Sequence, residues 1–343
     1  MQNLILLFVS ILLLNACASI PANTHQQTER IATGIGPEDI LLDSLSGSKV
    51  RLLVSSQDHR LQAEAPNGDI YAINLDETPL KSYKLTRIGE PDGHDFHPHG
   101  FDLVRREDGK VYLFVVSHDD KKDEHFIYKY HLSGNNLNFI KSYKNPVMNS
   151  PNTVVALQKK GFYVSNDQKK RGDRFAALMK ARNGSILYCN EDGGWAVVAD
   201  KLAFPNGLYI GPKERYLYAS TTRQNHIFKY GIKKDGNLVQ QEKVTKLVGG
   251  DNIRLAQNKE LLIPGHLNIL KFAQHFKDST KTSPSVVYYL DTQNGEKKVA
   301  YSNDGQQISA ASTAVKYKNY IYISQVFQPY ILRIKDKTKV SKN

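Results

Sequence analysis

The sequence predicts an all-β chain folded as a six-bladed β-propeller with a polar site at its centre. Three observations carry that reading. Alternating apolar runs are broken by Asn-Gly and Asp-Gly turns, as in Asn67-Gly68, Asp108-Gly109, Asn183-Gly184, Asp235-Gly236 and Asn294-Gly295, the pattern of strands joined by hairpins. Helical periodicity is nearly absent, the one short candidate running from Arg174 to Arg182. Two kinds of strand segment alternate, and each kind occurs six times.

The first kind opens on polar residues: Pro37-Glu38-Asp39-Ile40, Pro98-His99-Gly100-Phe101, Pro151-Asn152-Thr153-Val154, Pro205-Asn206-Gly207-Leu208, Gly250-Asp251-Asn252-Ile253 and Ala311-Ser312-Thr313-Ala314. The second is a short apolar strand with a small or polar end. Its copies begin at Val50, Val111, Gly161, Arg215, Glu260 and Tyr320. The steps between Glu38, His99, Asn152, Asn206, Asn252 and Thr313 are 61, 53, 54, 46 and 61 residues. A four-stranded blade with its loops needs about 40 to 50 residues or slightly more. The first strand of every blade lines the axis, and all six start at one face. Residues at the same phase therefore meet, although they lie far apart in sequence. Polar turns alone explain polarity at these positions. They do not explain a carboxylate or amide at one phase of nearly every repeat.

The converging set is Glu38, Asn152, Asn206, Asp251 and Asn252. Oxygen ligands with two carboxylates suit a hard cation that accepts six to eight oxygens, Ca²⁺ above all. Zinc would want His or Cys at tetrahedral spacing. His99 sits at the ring phase, and His118 ends the next strand of the same blade. A neutral imidazole beside a cation-polarised carbonyl can take a proton from water, which points to ester or lactone hydrolysis. His94 and His97 read as structural. No Gly-x-Ser-x-Gly elbow is present, and neither Cys17 nor Cys189 has a catalytic setting.

The ends of the chain read separately. Leu4 to Leu14 is an apolar run too short to span a membrane, followed by Leu14-Asn15-Ala16-Cys17. This ending resembles the lipobox of bacterial lipoproteins, although Met1-Gln2-Asn3 lacks the usual basic residues. The resemblance implies a signal peptide over 1–16, a diacylglycerol on Cys17 and, from Ala18, sorting to the outer membrane. A tether over 17–33, the propeller over 34–335 and a basic tail over 336–343 complete the expected organisation. With only two cysteines and one of them lipidated, no intrachain disulfide can form. The formal net charge is +12. Its lysines are scattered through turns without a recognition module, so a solvated face near anionic lipid or polysaccharide fits better than nucleic acid.

Taken together, these stretches resemble the paraoxonase/arylesterase family of calcium-dependent lactonases over roughly residues 34–332. The resemblance rests on Pro37 to Ile40, Pro98 to Gly100, Val115 to His118, Asn152 to Leu157, Ser165 to Asp167, Phe204 to Leu208, Gly250 to Ile253, Gly265-His266 and Ser312 to Ala314. Gluconolactonase and regucalcin-like propellers share part of the calcium set but lack this histidine pattern. The resemblance implies calcium on Glu38, Asn152, Asn206, Asp251 and Asn252. It also implies a His99–His118 dyad, with His99 as general base, and pocket positions at His266, Asp167 and Phe204. A second, structural calcium would use Asp39 and the carbonyl of Phe101. Thr153 replaces an expected acid there, which puts that ion in doubt. The small-molecule substrate would be an ester or lactone. A sugar-lactonase and a non-catalytic ligand-binding or protein-binding propeller are the alternatives.

Overall fold

The computed structural model describes residues 22–337 except positions 94 and 258. The expected signal peptide over 1–16, Cys17 and the last six residues lie outside the described residues. Among the described residues there are six sheets, and their order is that of a six-bladed propeller. Blade 1 runs β2 (Pro37–Asp43), β3 (Arg51–Ser56), β4 (Asp69–Asn74) and β5 (Ser82–Lys84). Blade 2 runs β7 (His97–Arg105), β8 (Val111–Asp119), β9 (Glu124–Ser133) and β10 (Asn136–Tyr143), with the short β6 (Thr86–Ile88) added in parallel outside β10. Blades 3, 4 and 5 begin with β11 (Pro151–Ala156), β15 (Pro205–Ile210) and β19 (Arg254–Gln257). Blade 6 holds β23 (Ala311–Tyr317), β24 (Tyr320–Gln325) and β25 (Tyr330–Lys335). Every polar strand start named above therefore opens the inner strand of its own blade, or directly precedes it at Asp251-Asn252.

The outer strand of blade 6 corrects the expected tether. β1 (Thr28–Ala32) pairs antiparallel with β25 from Thr28↔Ile334 to Ala32↔Tyr330. The ring is thus closed by joining an early strand and the last strand in one sheet, which gives that blade its fourth strand. Blade 6 would otherwise hold three strands, and burying Ile31 beneath the sheet supplies the reason for the pairing. The tail boundary also moves: Asp336 is held by Lys316 at 2.6 Å and by the Tyr289 hydroxyl at 2.9 Å.

The core lies between blades. Phe101, Leu113, Val115, Tyr128 and Tyr130 of blade 2 pack with Leu53, Ile70 and Ala72 of blade 1. Analogous clusters bind blade 2 to 3, 3 to 4, 5 to 6 and 6 to 1. A recurring hydrogen bond reinforces them at the axis. The hydroxyls of Ser55, Ser165, Ser220 and Ser324, each on a blade's second strand, donate to the carbonyls of His99, Asn206, Asp251 and Glu38 on the next blade, at 2.6 to 2.8 Å. The repeated serine at the end of the second strand thus fixes the neighbouring ring residue.

Two glycines set how tightly the inner strands approach. A Cβ at Gly100 would lie 2.5 Å from the Asn152 carbonyl oxygen, and one at Gly207 would lie 2.5 Å from Asn252 Cα. Neither would fit, so the residues directly after His99 and Asn206 must be glycine for the ring to close.

Candidate metal and proton-transfer site

Glu38, Asn152, Asn206, Asp251 and Asn252 are all at most 5 % exposed, and small hydroxyls join three of them. The Ser312 hydroxyl lies 3.3 Å from Glu38 Oε1 and 3.4 Å from Asn252 Nδ2. The Thr153 hydroxyl lies 2.8 Å from Asn252 Oδ1 and 3.3 Å from Asn152 Oδ1. Glu38 Oε2, Asn206 Oδ1 and Asp251 Oδ1 are buried with no hydrogen-bond partner. Orphaned buried oxygens from three blades are costly unless something else satisfies them. Burial, then the neighbouring charges of Asp251 and Asp39, hold the Glu38 carboxyl well above its ordinary range. Those are the conditions that a bound cation relieves. The donor set therefore fits calcium on the chemistry of the residues present.

The histidines form a longer row than a dyad. His99 and His118 rings meet edge to face at 5.3 Å. His59 meets His99 in the same way at 5.3 Å, and His125 meets His118 at 5.0 Å. The hydrogen bond in this row runs between His118 Nδ1 and His125 Nδ1, at 3.1 Å. Burial lowers the proton affinity of all four rings. His59 falls to about 3, with Arg171 contributing repulsion. Arg171 itself is held by Asp120 at 2.9 Å. His59, Arg171 and His125 are absent from the sequence prediction. His59 sits in an irregular loop after β3, out of phase with the repeat.

His59 also changes the donor chemistry locally. Ligand-capable atoms of Glu38, His59 and His99 lie within 4.8 Å of one another. His99 Nε2 is 3.3 Å from Glu38 Oε1. Two imidazoles and a carboxylate are a zinc-type set, placed beside the oxygen set.

His266 Nε2 is 2.7 Å from Asp251 Oδ2, which orients that carboxylate. The other face of the His266 site is covered by Phe272, ring centroids 4.6 Å apart. Phe272 belongs to a helix, Ile269–Lys277, that the sequence reading missed. Its signal was present: Asn268 caps it by accepting from the Leu270 and Lys271 amides, before apolar residues at helical spacing. Asp167 is buried and accepts from the Ser150 hydroxyl at 2.5 Å, and burial raises its carboxyl to about 6. Phe204 is half-buried, at φ 58, and its carbonyl accepts from the Thr222 amide. His97 is fully buried, 3.2 Å from the Ala65 carbonyl.

Asp39 is the correction within the ligand set. Its carboxylate is fully buried and already bound on both oxygens: Oδ1 accepts from the Ile40 amide and the Thr313 hydroxyl, and Oδ2 from the Phe101 amide and Arg254. A second calcium on Asp39 and the Phe101 carbonyl does not fit, because the Arg254 guanidinium touches both, at 2.6 and 3.0 Å.

Fold and site define a closed propeller with an axial ring of oxygen donors and an adjacent row of buried neutral imidazoles. The chain belongs to the arylesterase family, whose model matches residues 59–332. It is 25% identical over 306 residues to serum paraoxonase/arylesterase 2 of Rattus norvegicus, covering 87% of this chain and 85% of that one. Serum paraoxonase/lactonase 3 of Homo sapiens is 23% identical, over 76% and 75% of the two chains. Among solved structures, a gluconolactonase from Xanthomonas campestris superposes with a TM-score of 0.58 at 14% identity, over 94% and 96% of the chains. A calcium-binding protein, regucalcin, from Agrobacterium tumefaciens gives 0.57 at 12%, over 94% and 98%. Those two likenesses concern the fold.

Proposed function

We propose that this protein is a calcium-dependent hydrolase of esters and lactones. The observation that carries the reading is the set of orphaned buried oxygens on Glu38, Asn206 and Asp251 beside a neutral His99. Membership of the arylesterase family supports it. Glu38, Asn152, Asn206, Asp251 and Asn252 would hold the ion, and His266 keeps Asp251 aimed. When bound, calcium supplies Lewis-acid polarisation of the substrate carbonyl and stabilisation of the oxyanion.

His99 has the proton-moving role. Burial and the nearby Arg171 and His59 keep its ring neutral, so its nitrogen accepts the proton of the attacking water as the tetrahedral carbon forms. His118 and His125 pack behind it and hold its ring in place, through the edge-to-face contact of His118 with His99 and the 3.1 Å contact between the Nδ1 atoms of His118 and His125. The His99 proton returns to the departing alkoxide or phenoxide. Phe272 and the half-buried loop around His59 restrict water at the site.

The test is turnover of phenyl acetate and of aliphatic and homoserine lactones, with and without EDTA. Turnover that calcium restores after chelation is expected. No turnover of either class by calcium-replete protein would sink the hydrolase reading, and activity that survives calcium removal would sink the metal's role. We also propose export and anchoring at the outer membrane through a lipidated Cys17, on the Leu14 to Cys17 motif. Labelled fatty acid should enter the wild-type chain and not Cys17→Ser.

A further inference from the structure

We propose that the Arg254 guanidinium is the resident cation of a second oxygen cage in the channel, standing where a second divalent ion would otherwise bind. The inference concerns a different set of atoms from the ring and does not depend on it.

The cage lies one step further along the inner strands. Its oxygens are the two of the Asp39 carboxylate, the carbonyls of Ile40 and Phe101, and the Thr313 hydroxyl. They come from blades 1, 2 and 6. A carboxylate, two carbonyls and a hydroxyl are the ligands a hard divalent cation selects. Arg254 enters from blade 5. Its Nε donates to the Ile40 carbonyl at 2.9 Å, and one terminal nitrogen donates to Asp39 Oδ2 at 2.6 Å and to the Phe101 carbonyl at 3.0 Å. Asp102 also faces this charge, and its carboxylate accepts from the Ala156 amide at 2.8 Å.

Charge and geometry explain why the exchange works. A guanidinium is permanently protonated and presents a planar fork of donors. One such charge neutralises one buried carboxylate, and its separate N–H groups satisfy carbonyls that an ion would ligate radially. A divalent ion added beside it would meet a fixed positive charge and find its best oxygens occupied. The same contacts stitch blades 1, 2 and 5 across the axis, so this lock needs no metal from solution. At position 153 the neutral hydroxyl of Thr153 brings no further carboxylate and ties Asn152 to Asn252.

The test counts bound calcium by mass spectrometry and calorimetry in wild type, Arg254→Met and the double variant Arg254→Met/Asp39→Asn. Arg254→Met should bind one equivalent more than wild type, and calcium should raise its melting temperature more steeply. The double variant should fall back to the wild-type count. No extra equivalent in folded Arg254→Met, or an extra one that survives Asp39→Asn, would overturn the proposal. Two or more equivalents in wild type would overturn it without any variant, which covers the case of an insoluble Arg254→Met. A wild-type count of zero would instead remove the ring-calcium reading, and the difference between the chains would still decide this one.

Discussion

Replacing His59 with Gln should flatten the loss of stability on acidification, by an amount the structure sets. The folded ring titrates at about 3 because it is buried and faces Arg171, whereas an unfolded histidine titrates near 6.5. Between those values the unfolded chain binds the proton and the folded chain does not. Stability therefore rises with pH across that window and is fully present above about pH 6.5. From pH 7.5 down to pH 5, His59 alone removes about 1.5 pH units of differential protonation. At about 1.4 kcal/mol per unit, this is about 2 kcal/mol. His99, His118 and His125 act in the same direction, so the wild-type slope should be steeper still. Gln keeps polarity and similar size and cannot take the proton. Urea unfolding at pH 7.5 and pH 5.0 in calcium-saturated buffer gives the four free energies of the comparison. The wild-type loss should exceed that of His59→Gln by about 2 kcal/mol. Equal losses would show that His59 is solvated or already protonated in the fold, and would refute the buried neutral row.

Other substitutions test other parts of the site. Asp251→Ala removes one of the two ring carboxylates and should reduce arylesterase turnover by roughly 100-fold or more, with weaker calcium binding by calorimetry. His99→Gln should lower kcat by about 100-fold to 10,000-fold while calcium affinity stays within a few-fold of wild type; a lost metal site in that variant would make His99 structural instead. Gly100→Ala places a methyl 2.5 Å from the Asn152 carbonyl and should destabilise the propeller by about 1 to 3 kcal/mol in denaturant unfolding. Micromolar Zn²⁺ should inhibit turnover by occupying Glu38, His59 and His99, and His59→Gln should require at least about ten-fold more zinc for the same inhibition.

What the sequence made legible and what it hid divide along one physical line. A propeller converts sequence phase into spatial position. Residues that recur at one phase, Glu38, Asn152, Asn206 and Asn252, announce their meeting place before any coordinates exist. The same logic carried the six blades and the serine-ended second strands. Residues that reach the axis by other routes carry no phase. His59 arrives on an irregular loop, His125 on the third strand of blade 2, and Phe272 on a helix inserted between β20 (Glu260–His266) and β21 (Ser285–Asp291). Arg254 was hidden differently. It lies two residues beyond Asn252 on an inner strand, and a lone arginine in a basic chain reads as surface charge. Its length is the missing variable: the side chain spans from blade 5 to carbonyls of blades 1 and 2. Chain closure was concealed as well, because Thr28–Ala32 finds its partner some 300 residues away at Tyr330–Ile334, and no local pattern in five residues specifies that pairing. Phase therefore locates the oxygen ring, whereas the groups that set charge and proton affinity around it, Arg254 at Asp39 and Arg171 and His59 at His99, become visible only when side-chain reach is known.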